Sequence, residues 1–168
     1  MVGCYTLNHV IQLVSPGHDC AHRVLERDVP VRTDAVNVVF TTPEETLAAV
    51  RVASALGKAL AVPVTLIHFR AVPYPLSVDA PPGISPAETD AFVERLRSEG
   101  IDVRVRVYLC RSEGRVLPTA FKRHSFIVIG GRRSWLPTAA ERLRRRLEAA
   151  GHFVVFVVTP GQKEPSLA

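Results

Sequence analysis

Short apolar runs alternate with amphipathic stretches along most of the chain, and this alternation predicts strands that are followed by helices. The runs are rich in valine, isoleucine and phenylalanine, which is typical of strands covered on both faces of a sheet. The amphipathic stretches repeat apolar residues at steps of three and four, as helices with one buried face do. The predicted strands are 36–40, 63–70, 103–109, 125–130 and 153–158. The predicted helices are 43–60, 86–99, 112–123 and a last one that begins at Pro137 or Thr138 and ends at Gly151.

The order of these segments predicts an α/β fold. A strand-helix alternation that starts at Ala35 indicates a Rossmann-like open, mostly parallel five-stranded sheet with helices on both faces. Residues 35–160 would form this domain. Residues 1–34 form an N-terminal extension without a clear pattern, in which residues 5–14 fit either a strand or a short helix. Residues 161–168 form a C-terminal tail.

Composition places the chain among globular proteins of one domain. It has 168 residues, of which 47% are hydrophobic and 22% are charged. Its apolar runs are far shorter than the roughly 20 residues that span a bilayer, so no membrane partner is expected. The N-terminus lacks the basic region of a secretory signal, and three irregularly spaced cysteines do not indicate a disulfide framework. We therefore expect a cytoplasmic location.

Positive charge is concentrated near the C-terminal end of the chain. The formal net charge is +5, and arginines are dense from Arg132 to Arg146. We interpret them mainly as a solvated helix face, because such clusters are common on helices. The alternative is a nucleic-acid-binding helix, RLRRRL, whose affinity would fall steeply with salt.

The sequence contains no clear signal for a metal site or for catalysis. His18, Asp19, Cys20 and His22 lie close together, but their spacing matches no ligand pair of a known zinc site. No serine or cysteine lies in a nucleophile motif with a partner base. We therefore predict no metal ligand and no catalytic residue.

Four segments together resemble the universal stress protein family, over about Val36 to Val158. They are VVFTTPEETLAAVRVASALGKAL, VTLIHFRAVP, ERLRSEGIDVRVRV, and FIVIGG followed by a helix and GHFVVFVV. Their order and spacing carry the likeness more than any one of them. The resemblance implies a Rossmann-like α/β sandwich that is often paired as a homodimer through its last strand.

The same resemblance implies a nucleotide pocket, in a degenerate form. Family members that bind ATP carry an aspartate after the first strand and a loop Gly-x-x-Gly followed later by glycine and a hydroxyl residue. Gly130 matches the first glycine, whereas Arg133 stands at the second. Leu143 and Arg144 stand at the later pair, and Thr41 stands at the aspartate position. ATP or another adenine nucleotide is the cofactor class implied, with most of its motif replaced.

Two interpretations of this loop remain open. Arginine side chains near a helix N-terminus bind an anion directly, or the pocket has lost its ligand and the arginines are solvated. Phe69 resembles the adenine-contact position, with a pocket-wall role as the alternative. Trp135 either stacks on a ligand or partner or covers the end of the sheet. The candidate nucleotide-binding or anion-binding residues are Thr41, Thr42, Phe69, Gly130, Gly131, Arg132, Arg133, Ser134 and Thr138.

The leading hypothesis is a regulatory or ligand-sensing module of the universal stress protein type, homodimeric and without evident catalysis. An apolar last strand at a sheet edge needs a partner strand, and the candidate interface residues are Phe153, Val155 and Val157. The alternative is a nucleotide-binding protein with weak hydrolysis, in which arginines replace the glycine loop.

Overall fold

An open sheet forms the centre of the computed structural model, which describes residues 9–11, 34–75, 87–111, 116–117 and 120–159. Its strands are β1 (His9–Ile11), β2 (Val36–Val39), β3 (Val64–Ala71), β4 (Arg104–Cys110), β5 (Phe126–Arg132) and β6 (Phe153–Thr159). They lie in the order β1-β4-β3-β2-β5-β6, and every neighbouring pair is parallel. The helices are α1 (Pro43–Leu60), α2 (Ala87–Ser98) and α3 (Ala139–Ala149), and residues 116, 117 and 120 are also helical.

The predicted fold class is confirmed, with one additional strand and one helix that is shorter than predicted. The five predicted strands lie side by side, and β1 adds a sixth outside β4. A strand of three residues is too short to show a period, which is why residues 5–14 fitted two structures. The helix predicted at 112–123 does not reach its expected end, because residues 121–125 are not helical. Among the described helices, none combines the length and the apolar character that crossing a membrane requires.

Helices α1 and α2 cover one face of the sheet. Helix α1 begins as predicted: Thr42 caps it, Pro43 occupies its first turn, and Glu44 and Glu45 lie at the positive end of the helix dipole. Helix α1 packs against β2, β3, β5 and β6, and both helices bury their apolar stripes in one core. This first core includes Leu47, Ala49, Val50 and Ala53 of α1, Phe92, Val93 and Leu96 of α2, and Val36, Val38, Leu66, Val105 and Val128 of the sheet.

Helix α3 and the helical residues near 117 cover the opposite face. Their apolar side chains pack on alternate strand residues, since successive side chains of a strand point to opposite faces. This second core includes Val116, Leu117, Phe121, Ala140 and Leu147 against Val39, Ile67, Phe69, Ile127 and Ile129. The helices therefore lie on both faces, and the loops that leave the carboxyl ends of the strands meet at one edge.

A histidine at the entrance to β6 gives the fold a pH dependence. The ring of His152 lies 5.6 Å from the ring of Phe121. Burial lowers the pKa of His152 below its ordinary value of 6.5, and the positive charge of His124 lowers the pKa further. As the pH falls, His152 therefore takes up a proton in the unfolded chain before it does so in the folded chain. We therefore expect the stability that the neutral ring contributes to be present above about pH 6.5 and lost as the pH falls towards the folded pKa.

Replacing His124 with glutamine should raise the pKa of His152 without restoring its ordinary value. The substitution removes the like charge but leaves the burial, which is the larger cause. Titration of the imidazole C–H signals by NMR in both proteins measures this shift. A pKa of His152 at or above 6.5 in the unmodified chain would contradict the assignment.

Candidate functional site

A cavity of about 430 Å³ opens at the carboxyl ends of β2, β3 and β5, and we call it the carboxyl-edge cavity. The first turns of α1 and α3 border it. Its volume lies in the usual range for small-molecule sites, and this edge of an open parallel sheet is where ligands usually bind. The lining residues are Val39, Phe40, Thr41, Thr42, Glu45, Phe69, Arg132, Thr138, Ala139, Ala140 and Leu143.

Thr41 joins the two strands that flank the cavity. Its backbone N–H donates to the hydroxyl of Thr46 at 3.0 Å, and its own hydroxyl donates to the carbonyl of Gly130 at 3.2 Å. The hydroxyl proton is therefore used within the protein, and the oxygen remains available only as an acceptor. Thr41 thus holds the end of β2 against β5, at the position where the family resemblance expects an aspartate.

Two helix N-termini present their caps to the cavity. The hydroxyl of Thr42 accepts the N–H of Glu45 at 3.4 Å, and the hydroxyl of Thr138 accepts the N–H of Glu141 at 3.1 Å. As acceptors in these caps, both hydroxyls keep a proton that they can donate to a ligand. The free N–H groups of each first turn and the helix dipoles favour a negatively charged or electron-rich group between them.

The cavity also carries one carboxylate and one guanidinium. The Glu45 side chain is only 13% exposed, whereas the Arg132 side chain is 70% exposed, and Arg132 Nε lies 3.9 Å from Glu45 Oε1. The arginine is therefore free to turn towards a ligand, but the carboxylate is held in the wall. Glu45 was recognisable in the sequence only as an acid in the first turn of a helix. That its side chain lines a cavity depends on how α1 packs against β5.

The remaining wall is apolar. Phe69 is 7% exposed, and its ring centre lies 5.5 Å from that of Tyr108 and 6.3 Å from that of Phe121. Phe69 is thus a rigid wall that belongs to the second core. Leu143 also lines the cavity, and the family motif has a glycine at this position.

Gly130 and Gly131 lie inside β5 and not in a loop. An added Cβ at Gly130 would lie 1.8 Å from the carbonyl oxygen of Glu45, and one at Gly131 would lie 2.4 Å from Phe156 Cζ. These contacts place the backbone of β5 directly against α1 on one face and against Phe156 on the other. Both glycines therefore serve close packing at this end of the strand, with their backbones in the sheet ladder.

The structure brings together five of the nine predicted site residues. Thr41, Thr42, Phe69, Arg132 and Thr138 line the cavity. Gly130 and Gly131 lie behind its wall, and Arg133 and Ser134 are exposed outside the lining. Trp135 is 92% exposed, so it does not cover the end of the sheet. The lining residues that sequence reasoning did not select are Val39, Phe40, Glu45, Ala139, Ala140 and Leu143.

The arginine-rich helix α3 neutralises part of its own charge. Arg145 pairs with Glu141 at 2.9 Å and Arg144 pairs with Glu148 at 3.1 Å, both one turn apart. The guanidinium of Arg144 also lies over the ring of Phe156, 5.7 Å from its centre. Arg144 thus points towards β6, although its position in the family motif belongs to the phosphate loop.

Comparison with known proteins identifies the fold. No protein-family model matches the sequence, and no curated protein matches it. Among solved structures, the chain is similar to a universal stress protein from Archaeoglobus fulgidus, with 20% identity and a TM-score of 0.54 over 73% of this chain and 92% of that chain.

Two further solved structures match less closely. One is a protein from the universal stress protein family from Burkholderia pseudomallei, with 15% identity and a TM-score of 0.46 over 78% of this chain and 100% of that chain. The other is a macrolide-efflux protein from Streptococcus pneumoniae, with 18% identity and a TM-score of 0.45 over 82% of this chain and 56% of that chain. At these levels of identity the likeness concerns the fold, and the Archaeoglobus fulgidus structure supports it: the chain has the fold of a universal stress protein.

Proposed function

We propose that the chain is a regulatory, ligand-sensing module whose carboxyl-edge cavity binds a nucleoside or nucleotide, with no catalysis of its own. The observation that carries the proposal is the cavity of about 430 Å³ between two capped helix N-termini. Phe69 and Leu143 offer an apolar wall for a base. The Glu45 carboxylate accepts hydrogen bonds from hydroxyl groups such as those of ribose.

The carboxyl-edge cavity offers fewer groups that would bind phosphates than groups that would bind a nucleoside. Gly130 and Gly131 are packed in β5, so their N–H groups form no cradle, and Arg132 is the one guanidinium among the lining residues that the structure describes. Glu45 lies beside it and repels a polyanion. We therefore expect ATP to bind no more than about tenfold more tightly than adenosine, a difference of about 1.4 kcal/mol.

Two substitutions at the cavity should change ATP affinity in opposite directions. Arg132→Gln removes the cation that faces the phosphates, and Glu45→Gln removes the anion that repels them. At a partly exposed site each charge contributes about 1 kcal/mol. We therefore expect the dissociation constant for ATP to be roughly fivefold higher in Arg132→Gln and roughly fivefold lower in Glu45→Gln. Calorimetric titration with ATP and with adenosine at one ionic strength measures both effects.

Arg133→Gln is the matched control for these variants. It removes the same charge one residue away, but Arg133 lies outside the cavity lining. ATP affinity should therefore be unchanged. An equal loss in Arg132→Gln and Arg133→Gln would indicate attraction by net charge alone. If neither ATP nor adenosine binds, and mass spectrometry finds no small molecule released on denaturation, the proposal is wrong.

Weak hydrolysis of ATP is the second candidate function, and the pairing of Glu45 with Arg132 favours it. The guanidinium would hold a phosphate, and the carboxylate would orient a water molecule. Glu45→Gln separates the two functions, since it should strengthen ATP binding while it abolishes any phosphate release. Phosphate release that Glu45→Gln leaves unchanged would exclude this role for the carboxylate.

We also propose a homodimer through β6, which forms one edge of the sheet. An open edge strand presents unpaired backbone groups, and Phe153 and Val158 on it are 45% and 50% exposed. Val155 and Val157 are partly buried against the first core, so they support the strand as well as the proposed interface. A cytoplasmic location stays a prediction.

A further inference from the structure

A second cavity, of about 220 Å³, opens at the amino ends of β2, β4 and β5, on the edge opposite to the carboxyl-edge cavity. We call it the amino-edge cavity. Helical residue Ala120 and the loop that follows it form part of the lining. The lining side chains that carry polar groups are Asp34, Asn37, Thr65, Arg104, Arg106, Lys122, Arg123, His124 and Ser125.

The sheet beneath this cavity interrupts an apolar face with a polar row. Strand register places Asn37 beside Thr65 and Thr65 beside Arg104, across three adjacent strands. Further along the same face the strands carry Val39, Ile67 and Tyr108, all buried in the second core. Thr65 itself is only 3% exposed. Asn37 Nδ2 donates to the carbonyl oxygen of Phe126 at 3.2 Å. The row therefore gives the floor of the cavity polar groups that are held in place by the sheet.

The charges around the cavity are almost all positive. Five basic side chains face one carboxylate, Asp34, which pairs with Lys122 at 2.6 Å. That hydrogen bond lowers the pKa of Asp34 and keeps it ionised. No ion pair within the described part of the chain involves Arg104, Arg106 or Arg123. Three guanidinium groups without an ion pair to any described residue therefore line one small cavity, and their mutual repulsion favours a bound anion.

A hydrogen bond to the backbone holds the ring of His124 at this rim. Its Nδ1 lies 3.1 Å from the carbonyl oxygen of Gly151, and a carbonyl can only accept, so Nδ1 carries the hydrogen. His124 also has a positive φ of 56°. A non-glycine residue in this conformation indicates that the surrounding contacts hold the loop in place.

We propose that the amino-edge cavity binds a small multivalent anion of the phosphate or diphosphate class through Arg104, Arg106 and Arg123. A volume of about 220 Å³ accommodates roughly seven water molecules at ~30 Å³ each. A diphosphate fits within this space, whereas a whole nucleoside triphosphate would extend beyond it. Guanidinium groups bind phosphate oxygens in pairs, so three of them match such a ligand. This site is independent of the carboxyl-edge cavity and of its ligand.

Inorganic pyrophosphate is the probe for this site, titrated into the full chain by calorimetry and thermal unfolding at constant ionic strength. We expect a melting temperature raised by roughly 5 °C at saturating pyrophosphate. Arg104→Gln combined with Arg106→Gln should weaken binding at least tenfold. The matched control, Arg133→Gln with Arg146→Gln, removes the same charge from exposed positions outside the cavity and should bind as the unmodified chain does.

Amide chemical shifts in the unmodified chain provide a second measurement that needs no variant to fold. Pyrophosphate should shift the amide signals of Arg104, Arg106 and residues 122–125 and leave those of Arg132 and Thr138 in place. The proposal is overturned if pyrophosphate neither raises the melting temperature nor moves these signals. Equal weakening in the control double variant would also overturn it, because the attraction would then follow net charge alone.

Discussion

Gly130→Ala is expected to lower the free energy of unfolding by about 3 kcal/mol or more. The new Cβ would lie 1.8 Å from the carbonyl oxygen of Glu45 and 2.4 Å from its carbonyl carbon. Both atoms belong to the backbone of α1, so no rotamer change can relieve the overlap. Helix α1 must move away from β5, and this movement opens the first core near the carboxyl end of β5. Urea unfolding followed by circular dichroism measures the loss.

Gly131→Ala is the neighbouring control and should have a smaller effect, of about 1 kcal/mol. Its Cβ would lie 2.4 Å from Phe156 Cζ, which is the outer end of a side chain on an edge strand and can move. Gly100→Ala meets no atom within 4 Å, but its φ of +72° gives an expected loss of about 1 kcal/mol. If Gly130→Ala were as mild as these two, the close contact between β5 and α1 would be wrong. The glycine would then be free to serve a ligand.

Val158→Lys is expected to convert the proposed homodimer into monomers. Val158 is 50% exposed on the edge strand β6, so a lysine there adds a charge to the interface without a loss in either core. A symmetric dimer would carry two copies of the charge in its interface, and we expect the dissociation constant to rise at least a hundredfold, or about 2.7 kcal/mol. Light scattering over a range of concentrations gives the mass of each species.

Leu60→Lys is the matched control for the dimer. Leu60 is 51% exposed at the end of α1, so the two substitutions remove equally exposed apolar side chains and add the same charge. The dimer should persist in Leu60→Lys. A dimer that also persists in Val158→Lys uses another surface, and a monomeric unmodified chain has no interface at β6 to test.

The glycine substitutions also distinguish a packing role from a ligand-binding role for the segment FIVIGG. The run FIVIGG resembles the start of a phosphate-binding loop, yet both of its glycines lie in β5 and pack against other backbone and ring atoms. Arg132, which directly follows this run, lines the carboxyl-edge cavity. The cavity lies at the edge of the sheet where the likeness to the family predicts a pocket, and most of its lining residues come from positions 39–45 and from Thr138 with the start of α3.

The sequence by itself determined the α/β fold and the edge of the sheet where the larger cavity opens. Period, caps and turns are local properties: Thr42, Pro43 and Glu45 start α1 wherever it packs. The order of strands and helices then places the loops after β2 and β5 at one edge. Five predicted site residues lie at the cavity for this reason.

Only the tertiary structure decided which side chains face each cavity. Gly130 is a packing glycine because the backbone of Glu45, distant in sequence, lies against it. Arginine alternates with valine in β4, and the register with Asn37 and Thr65 makes the arginine face the floor of a basic cavity. Such contacts join residues that are far apart in sequence, and local pattern carries no information about their distance.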